Sequence, residues 1–452
     1  MTRNASTHVS PRPGQQPQAG GWLFMIRALR HRNFRLYFIG QSISLVGTWM
    51  TRIATSWLVY RLTGSALLLG IVGFAGQIPS FLLGPIAGVF VDRWDRHRLL
   101  VVTQALAMVQ SLTLAVLTLP ARITVREVLL LSVVQGVINA FDMPARQTFM
   151  VELVEKQDDL ANAIAMNSSM VNVARLLGPS LGGVLIAAVG EGWCFLLDGI
   201  SYLAVIASLR LMTVSSNRQQ GKTVGHLGQQ LSEGWTYISC FLPIRNILLL
   251  LAVVSIVGMP YTVLMPLVAD DILHGGPQTL GLLMAAVGIG ALGGAGILAV
   301  RKSVLGLGKL LPLATITFGL GLIAFSFSRQ LWLSWMCLVI TGLGFMIQMT
   351  SSNTLLQTIV DSDKRGRVMS FYTMAVMGLA PFGSLLAGGV AHTLGVEATL
   401  RYGGIGCIIA ACWFARTLPL LRLIVRPIYV KIGILSEPAP DNPHTAEPSS
   451  TR

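Results

Sequence analysis

"GPIAGVFVDRWDRHRLL", residues Gly84 to Leu100, decides how the chain is read. Five formal charges and a histidine fall within the seven residues Asp92 to Arg98, between two long apolar runs. Only 12% of the chain is charged, so this concentration marks a change of environment. The runs on either side are as long as a hydrocarbon core of about 30 Å requires, roughly 20 residues of helix. The stretch therefore reads as a short polar loop joining two membrane-crossing helices.

The composition supports that reading. Of 452 residues 53% are hydrophobic and 47 are glycine, the mean hydropathy is +0.66, and a soluble domain of this length does not tolerate such values. The formal net charge of +14 sits in short basic clusters between apolar runs. That is the pattern of loops facing anionic lipid, and no nucleic-acid partner is expected. Cys194, Cys240, Cys337, Cys407 and Cys412 are scattered, with no metal-ligand spacing, and read as packing residues. No GxxxxGK[ST] phosphate loop occurs, and the seven histidines are dispersed. The expectation is a protein with no catalytic residues, no metal and no cofactor.

Twelve candidate spans emerge: Phe34 to Tyr60, Ala66 to Val91, Leu99 to Leu119, Ile123 to Phe141, Ala163 to Val189, Trp193 to Met212, then Ile247 to Val268, Leu280 to Val300, Leu310 to Phe327, Leu331 to Met349, Val368 to Leu394 and Tyr402 to Leu418. The fold class expected is an all-α membrane protein of twelve helices in two pseudo-symmetric six-helix halves. Residues 1–33 and 422–452 read as cytoplasmic tails, 34–212 and 247–421 as the halves, and 213–246 as a polar linker. Met1 to Gly20 lacks the apolar core of a secretory signal and reads as an uncleaved disordered segment. In the linker Leu227, Leu231, Trp235 and Ile238 fit either an amphipathic helix on the membrane surface or a loop with chance periodicity.

Basic residues set the orientation. Arg27, Arg30 and Arg32; Arg93, Arg96 and Arg98; Arg218 and Lys222; Arg301, Lys302 and Lys309; Lys364, Arg365 and Arg367; and Arg422, Arg426 and Lys431 all fall on one side if there are twelve spans. That side is cytoplasmic by the positive-inside rule, so both termini are expected there.

The halves repeat. A shift of 206 lays Met143, Thr148, Val154 and Glu155 on Met349, Thr354, Val360 and Asp361, and a shift of 205 lays Gly178, Gly183 and Gly190 on Gly383, Gly388 and Gly395. Gly88 meets Gly296 only at 208. Two parallel repeats of six helices are the layout of many secondary transporters.

In the opening stretch Gly88, Asp92, Arg93, Arg96 and Arg98 follow the order of the loop signature of the major facilitator superfamily, which the chain resembles. Asp95 stands where that signature usually has a second glycine. Gly88 is expected to let another helix approach closely, and Asp92 to pair with the start of the eleventh span, through its free amides and Arg365 or Arg367. In the fifth span Gly178, Pro179, Gly182 and Gly183 resemble the GP-x-x-GG core of the superfamily's exporter signature, with Ala165 and Ala174 in place of its upstream glycines. A close, smooth helix face that seals one end of a cavity is one reading, and generic small-residue packing is the other.

Polar residues inside spans mark candidate cavity positions. Gln41, Ser44, Thr48, Arg52 and Thr55 make one stripe on the first span, and Gln135, Asn139, Asp142 and Arg146 make another on the fourth. Arg175 falls near mid-membrane, as either a substrate or coupling contact or a structural hydrogen-bonded arginine. No carboxylate occupies the centre of a span, with Asp198, Asp270 and Asp271 near outer ends, so the proton-carrying residue is unnamed. The runs "YFIGQSISLVGTWMTRIATSWLVYRLTGS" and "NAFDMPARQ" look like the bacterial exporter branch that includes siderophore exporters and macrolide-efflux-like proteins. That resemblance, over about residues 30 to 420, implies export of a small organic molecule across the inner membrane by proton antiport and alternating access, with the lipid bilayer, the substrate and protons as partners and a monomeric carrier. An importer, or a sensor or scaffold on the same fold, remains the alternative.

Overall fold

The computed structural model describes residues 27–154, 157–213, 235–301, 303–361, 364–432 and 434–435. The linker positions Arg218, Lys222, Leu227 and Leu231, residues 1–26, 433 and 436–452 of the tails, and Lys302 lie outside the described residues, as do the side chains of Asp92 and Lys431. A turn of 3-10 helix, Arg27–Arg30, precedes α1 (Arg32–Thr63), α2 (Ala66–Arg93), α3 (Arg96–Thr118), α4 (Val125–Glu152), α5 (Gln157–Val189) and α6 (Glu191–Leu211). The second half holds α7 (Leu242–Ile272), α8 (Pro277–Val300), α9 (Leu307–Phe327), α10 (Leu331–Ile359), α11 (Arg365–Leu394) and α12 (Val396–Lys431). Of the linker motif, Trp235 and Ile238 are described, in a helical turn at 235–240. Ile238 is buried in the core of the second half, and Trp235 is exposed with its ring against Phe371.

Among the described residues, eleven of these twelve helices are long and apolar enough to cross a membrane by length and composition alone, so the count of twelve spans is matched to within one. The helix outside that group is α1. Its 32 residues exceed the length needed, but Gln41, Ser44, Thr48 and Arg52 dilute its apolar surface, so it depends on protein neighbours to screen that stripe.

Local chemistry sets the helix ends. Gly64, at φ 57°, ends α1 in a left-handed turn that returns its N–H to the Tyr60 carbonyl. Asp95 occupies the N-cap of α3, where its carboxylate accepts from the Arg98 amide at 3.1 Å. This explains the departure from glycine in the opening stretch: the turn is closed by a capping side chain. At the start of α4 Glu127 bends back to accept from the Thr124 amide at 2.6 Å, so its charge stays at the helix end.

The apolar core shows how the halves sit. At the end of the bundle away from the basic clusters, one cluster of buried residues runs through both halves, from Met50, Trp57 and Leu69 to Leu264, Leu283 and Phe318. At the basic end the core divides in two. One cluster, with Phe34, Tyr37, Leu99, Phe149 and Leu209, belongs to the first half; the other, with Ile244, Leu251, Leu311, Leu356 and Phe414, belongs to the second. The halves are closed together at the far end and parted at the basic end.

Glycines make the closure possible. A Cβ on Gly183 of α5 would lie 2.6 Å from the Pro277 carbonyl oxygen and 2.9 Å from Gly281 Cα of α8. A Cβ on Gly388 of α11 would lie 2.8 Å from the Ala66 carbonyl oxygen and 2.8 Å from Gly70 Cα of α2. Gly183 and Gly388 are the pair matched by the shift of 205, so the repeat places the same contact at both interfaces between halves. Tyr60 adds a polar tie across the halves, its hydroxyl 2.5 Å from Asp270 Oδ2 and 2.7 Å from Asp271 Oδ1. Gly88 differs from the expectation of a close approach: nothing lies within 4 Å of a Cβ built there.

Three π-helical turns interrupt the second half, at Val254–Gly258 and Val268–Ile272 in α7 and Met374–Gly378 in α11. Two of them meet, because the Ser255 hydroxyl donates to the Val376 carbonyl at 3.2 Å.

At the basic end the segment before α1 is fastened to α5, and the first turn of α1 to the residues just past α6. Arg27 and His31 both bond the Asp159 carboxylate, His31 at 2.9 Å, and the Ala28 amide donates to Asn162 at 2.9 Å. The Asn33 side chain donates to the Thr213 carbonyl at 3.0 Å. The hydrogen bond from His31, with Arg27 reinforcing it against the cost of burial, holds the Asp159 carboxyl below its usual range.

Three expectations follow. Gly183→Val puts side-chain atoms into backbone across the interface and lowers stability by about 1–3 kcal/mol, whereas Gly88→Ala has room; thermal unfolding of the two purified variants separates them, and equal melting would refute the account of the interface. Asp95→Ala costs about 1 kcal/mol and Asp95→Gly only a few tenths, the ordering of an N-cap, read in the same assay. A carboxyl with a depressed folded-state pKa stabilises above its unfolded pKa and loses that contribution as pH falls through the folded value. Asp159→Asn is therefore less stable than the parent at neutral pH, and the gap closes on titration below about pH 4; a gap that persists in acid would exclude the charged contact.

Candidate functional site

The polar stripe of α1 divides by depth. Gln41 and Ser44 are packed inside the bundle, 2% and 1% exposed, and the Thr48 hydroxyl donates back to the Ser44 carbonyl at 3.0 Å. Arg52 is exposed, and its guanidinium carbon lies 4.7 Å from the centre of the Trp49 ring. Arg175 of α5 reaches the same ring at 5.1 Å. The two expected cations are thus brought together on an indole the sequence reading passed over. A cation on an indole face gains about 0.5–1 kcal/mol at an exposed site and about 2 when desolvated.

The packing of α5 on α1 builds this arrangement. A Cβ on Gly178 would fall 2.5 Å from Trp49 Cβ, and one on Gly182 would fall 2.9 Å from Met50 Cγ. The GP-x-x-GG face therefore has two jobs: Gly178 and Gly182 seat α1, and Pro179 and Gly183 press their backbone on Gly281 of α8. At 100° per residue, Ala165, Ser168 and Ser169 lie on the same side of α5 as Pro179 and Gly183. Near the basic end these three are exposed. The side of α5 that touches α8 at the far end is therefore exposed near the basic end.

The stripe on α4 is a closed network. Asp142, 3% exposed, accepts from the Thr103 hydroxyl at 2.9 Å and the Gln104 amide at 2.7 Å, and it also pairs with Arg146. A buried carboxylate with three donors, one of them cationic, has its charge compensated. Gln135 donates to Asn139 at 3.1 Å within the same helix. Asp142 ties α3 to α4, while Gln135 and Asn139 hold each other.

Asp198 of α6 is the residue that sequence reasoning set aside. Seven positions from the helix start, it looked close to an outer end, yet it is 2% exposed between α1 and α3. Oδ2 takes the Thr51 hydroxyl at 2.9 Å and lies 3.1 Å from the Ser111 hydroxyl, while Oδ1 has no partner. Ser111 has one proton and two acceptors, Asp198 and the Phe195 carbonyl at 2.9 Å. No cation pairs with Asp198 among the described residues. A protonated carboxyl satisfies this set better than a carboxylate: it donates to Ser111, which then donates to Phe195. Gly47 makes room for it, since a Cβ there would lie 2.7 Å from Oδ1. Gly47 and Thr51 at a spacing of four were the available signal.

The loop residues have partners inside their own half. Arg96 pairs with Glu152 at the end of α4, Arg98 lies 3.9 Å from Asp95, and Arg93 is exposed. Arg365 is exposed and Arg367 half-buried at the start of α11. The expected pairing of Asp92 with them falls on a side chain outside the described residues.

Comparison with known proteins agrees with this architecture. Similar solved structures include a mutant of the nucleoside transporter NupG, at TM-score 0.69 and 11% identity, covering 85% of this chain and 99% of that one. A bacterial homologue of the human lysosomal transporter Spinster, inward-facing and occupied, gives 0.65 at 15% identity over 91% of this chain and 99% of that one. Among sequence relatives, the staphyloferrin A transporter of Staphylococcus aureus is 27% identical over 384 residues, 84% of this chain and 95% of the relative. The multidrug efflux pump Tap of Mycolicibacterium fortuitum is 27% identical, over 85% of this chain and 92% of the pump. Macrolide efflux protein A of Streptococcus pyogenes is 23% identical, over 85% and 96%. The sequence profile of transmembrane secretion effectors matches residues 25–422, and with that span the chain belongs to this family of major facilitator transporters.

Proposed function

We propose that the chain is a monomeric secondary exporter that carries a small organic molecule, siderophore-, macrolide- or drug-like, out across the bacterial inner membrane in exchange for protons. The observation that carries this reading is the division of the apolar core. One cluster joins the halves at the far end, and at the basic end each half has its own; on this reading a crevice opens between them there, with Arg175 and Arg52 at its deep end. With basic loops facing the cytoplasm, this is an inward-open carrier: a molecule enters from the cytoplasm, and rocking of the halves about the glycine contacts delivers it outside. The efflux relatives support the direction.

Coupling needs a group that changes protonation between the two states, and Asp198 is the group we assign. Its partner Thr51 is on α1, the helix that carries Arg52 and Trp49, so a movement of α1 that admits substrate also alters the donors around the carboxyl.

The test is full-length protein in vesicles with an imposed proton gradient, loaded with ethidium and a set of siderophores and macrolides. Gradient-driven movement of at least one compound supports the reading, and movement of one or more compounds at the same rate with and without the gradient overturns the antiport. Asp198→Asn is expected to reduce gradient-driven transport at least tenfold while leaving counterflow of the same compound without a gradient within about twofold of the parent. Equal loss of both would make Asp198 structural.

A further inference from the structure

We infer that the deep end of the crevice is a binding site for an organic anion, with the carboxylate of the transported molecule held by Arg52 and Arg175 over the Trp49 ring. This deepens the export reading and rests on it for direction alone.

The two arginines carry charge that no acid of the described residues pairs. The guanidinium carbons of Arg52 and Arg175 lie 4.7 and 5.1 Å from one ring centre, so they are no further apart than the sum of those distances. Two like charges this close repel, and in a low-dielectric bundle the repulsion is weakly screened. Neither forms an ion pair among the described residues, and Arg175 Nε is buried without an acceptor.

The nearby acids are committed elsewhere. Asp142 holds Arg146, Thr103 and Gln104. Glu191 holds Arg61, and Asp270 and Asp271 hold Tyr60. Asp198 faces Thr51 and Ser111 between α1, α3 and α6. The protein thus places two planar donor forks in one crevice and supplies a ring face with no anion.

Guanidinium forks match a carboxylate geometrically, each offering parallel N–H donors. A bridging carboxylate neutralises the repulsion and satisfies Nε of Arg175, and a second carboxylate on the same molecule gives each arginine its own partner. Tyr261 of α7, buried in the core shared by the halves, lies within electrostatic range of Arg175, so the second half approaches the site. Ser168 and Ser169 are exposed on the same side of α5, and the Ser169 hydroxyl donates to the Ala165 carbonyl at 2.9 Å. The same pair of charges repels a cationic compound, so the site selects organic anions against organic cations.

The test uses full-length protein in lipid nanodiscs with carboxyfluorescein as the anionic probe, read by anisotropy, citrate as competitor and ethidium as the cationic control. Expected is saturable carboxyfluorescein binding displaced by citrate, weakened at least tenfold in Arg52→Gln and in Arg175→Gln and only a few-fold in Arg175→Lys, with ethidium binding not weakened in any variant. Arg52 is exposed, so R52Q keeps the test alive if R175Q fails to fold. Binding that is absent from the parent, or equal in the parent and R52Q, overturns the anion site. The same proteins in vesicles separate the two readings. Saturable anion binding without gradient-driven movement of any compound leaves the site and removes the export reading, whereas gradient-driven ethidium movement without anion binding does the reverse.

Discussion

A charge inside a bundle of apolar helices has to be matched by the protein, because the lipid offers nothing. The first half of this chain shows three degrees of matching. Asp142 is saturated by an arginine, a threonine and a glutamine. Asp198 has hydroxyl donors for one oxygen and none for the other. Arg52 and Arg175 share a tryptophan and have no acid. A saturated group holds helices together in every state of the carrier, and an incompletely matched one is stable only with something added, a proton in one case and an anion in the other. Structural and functional polar groups are told apart here by hydrogen-bond inventory.

The second constraint is how closely backbones approach. In a membrane, helices gain little from the hydrophobic effect against one another and rely on packing of small residues. Gly183 against Gly281 and Gly70 against Gly388 put backbone on backbone at the two interfaces between halves. Where glycine meets glycine the contact is flat, so those points close and reopen without a side chain having to move there. The same motif also positions the cations, since Gly178 and Gly182 let α1 lie close enough for Arg52 and Arg175 to meet the same Trp49 ring.

Much of this was legible in the sequence. Run length gave the spans, the repeat gave equivalent positions for Gly183 and Gly388, and helical spacing flagged Arg52, Arg175 and Asp142. What could not be read was which neighbour each side chain meets. Trp49 is an ordinary interfacial or core residue until α5 is placed on it. The burial of Asp198 was not legible, because distance along a helix measures depth in the membrane and says nothing of burial between helices. Arg27 looked like a topology signal alone, yet with His31 it bonds Asp159, 128 to 132 residues away. The expected pairing of Asp92 with the eleventh span falls on a side chain outside the described residues; of its neighbours, Arg96 pairs with Glu152 of its own half, and Gly88 faces open space.

The two halves repeat in sequence yet divide the work physically. Among the described residues the buried ionic and carboxyl groups of the bundle interior lie in the first half, at Asp142, Arg146, Arg175 and Asp198, while the π-helical turns lie in α7 and α11 of the second. A π turn has already given up its regular i to i−4 bonding, so bending there breaks fewer bonds than bending an intact helix. The hydroxyl of Ser255 links one π turn to the other through the Val376 carbonyl, so α7 and α11 are coupled at their softest points. Both helices contact the first half: α7 through Tyr60 and its approach to Arg175, and α11 through Gly388 and the T-shaped contacts of Phe382 with Phe74 and Phe81. Ligand charge sensed in the stiff half is thereby met by the helices of the other half that bend most easily, which makes an empty or filled arginine pair able to bias the closure of the crevice.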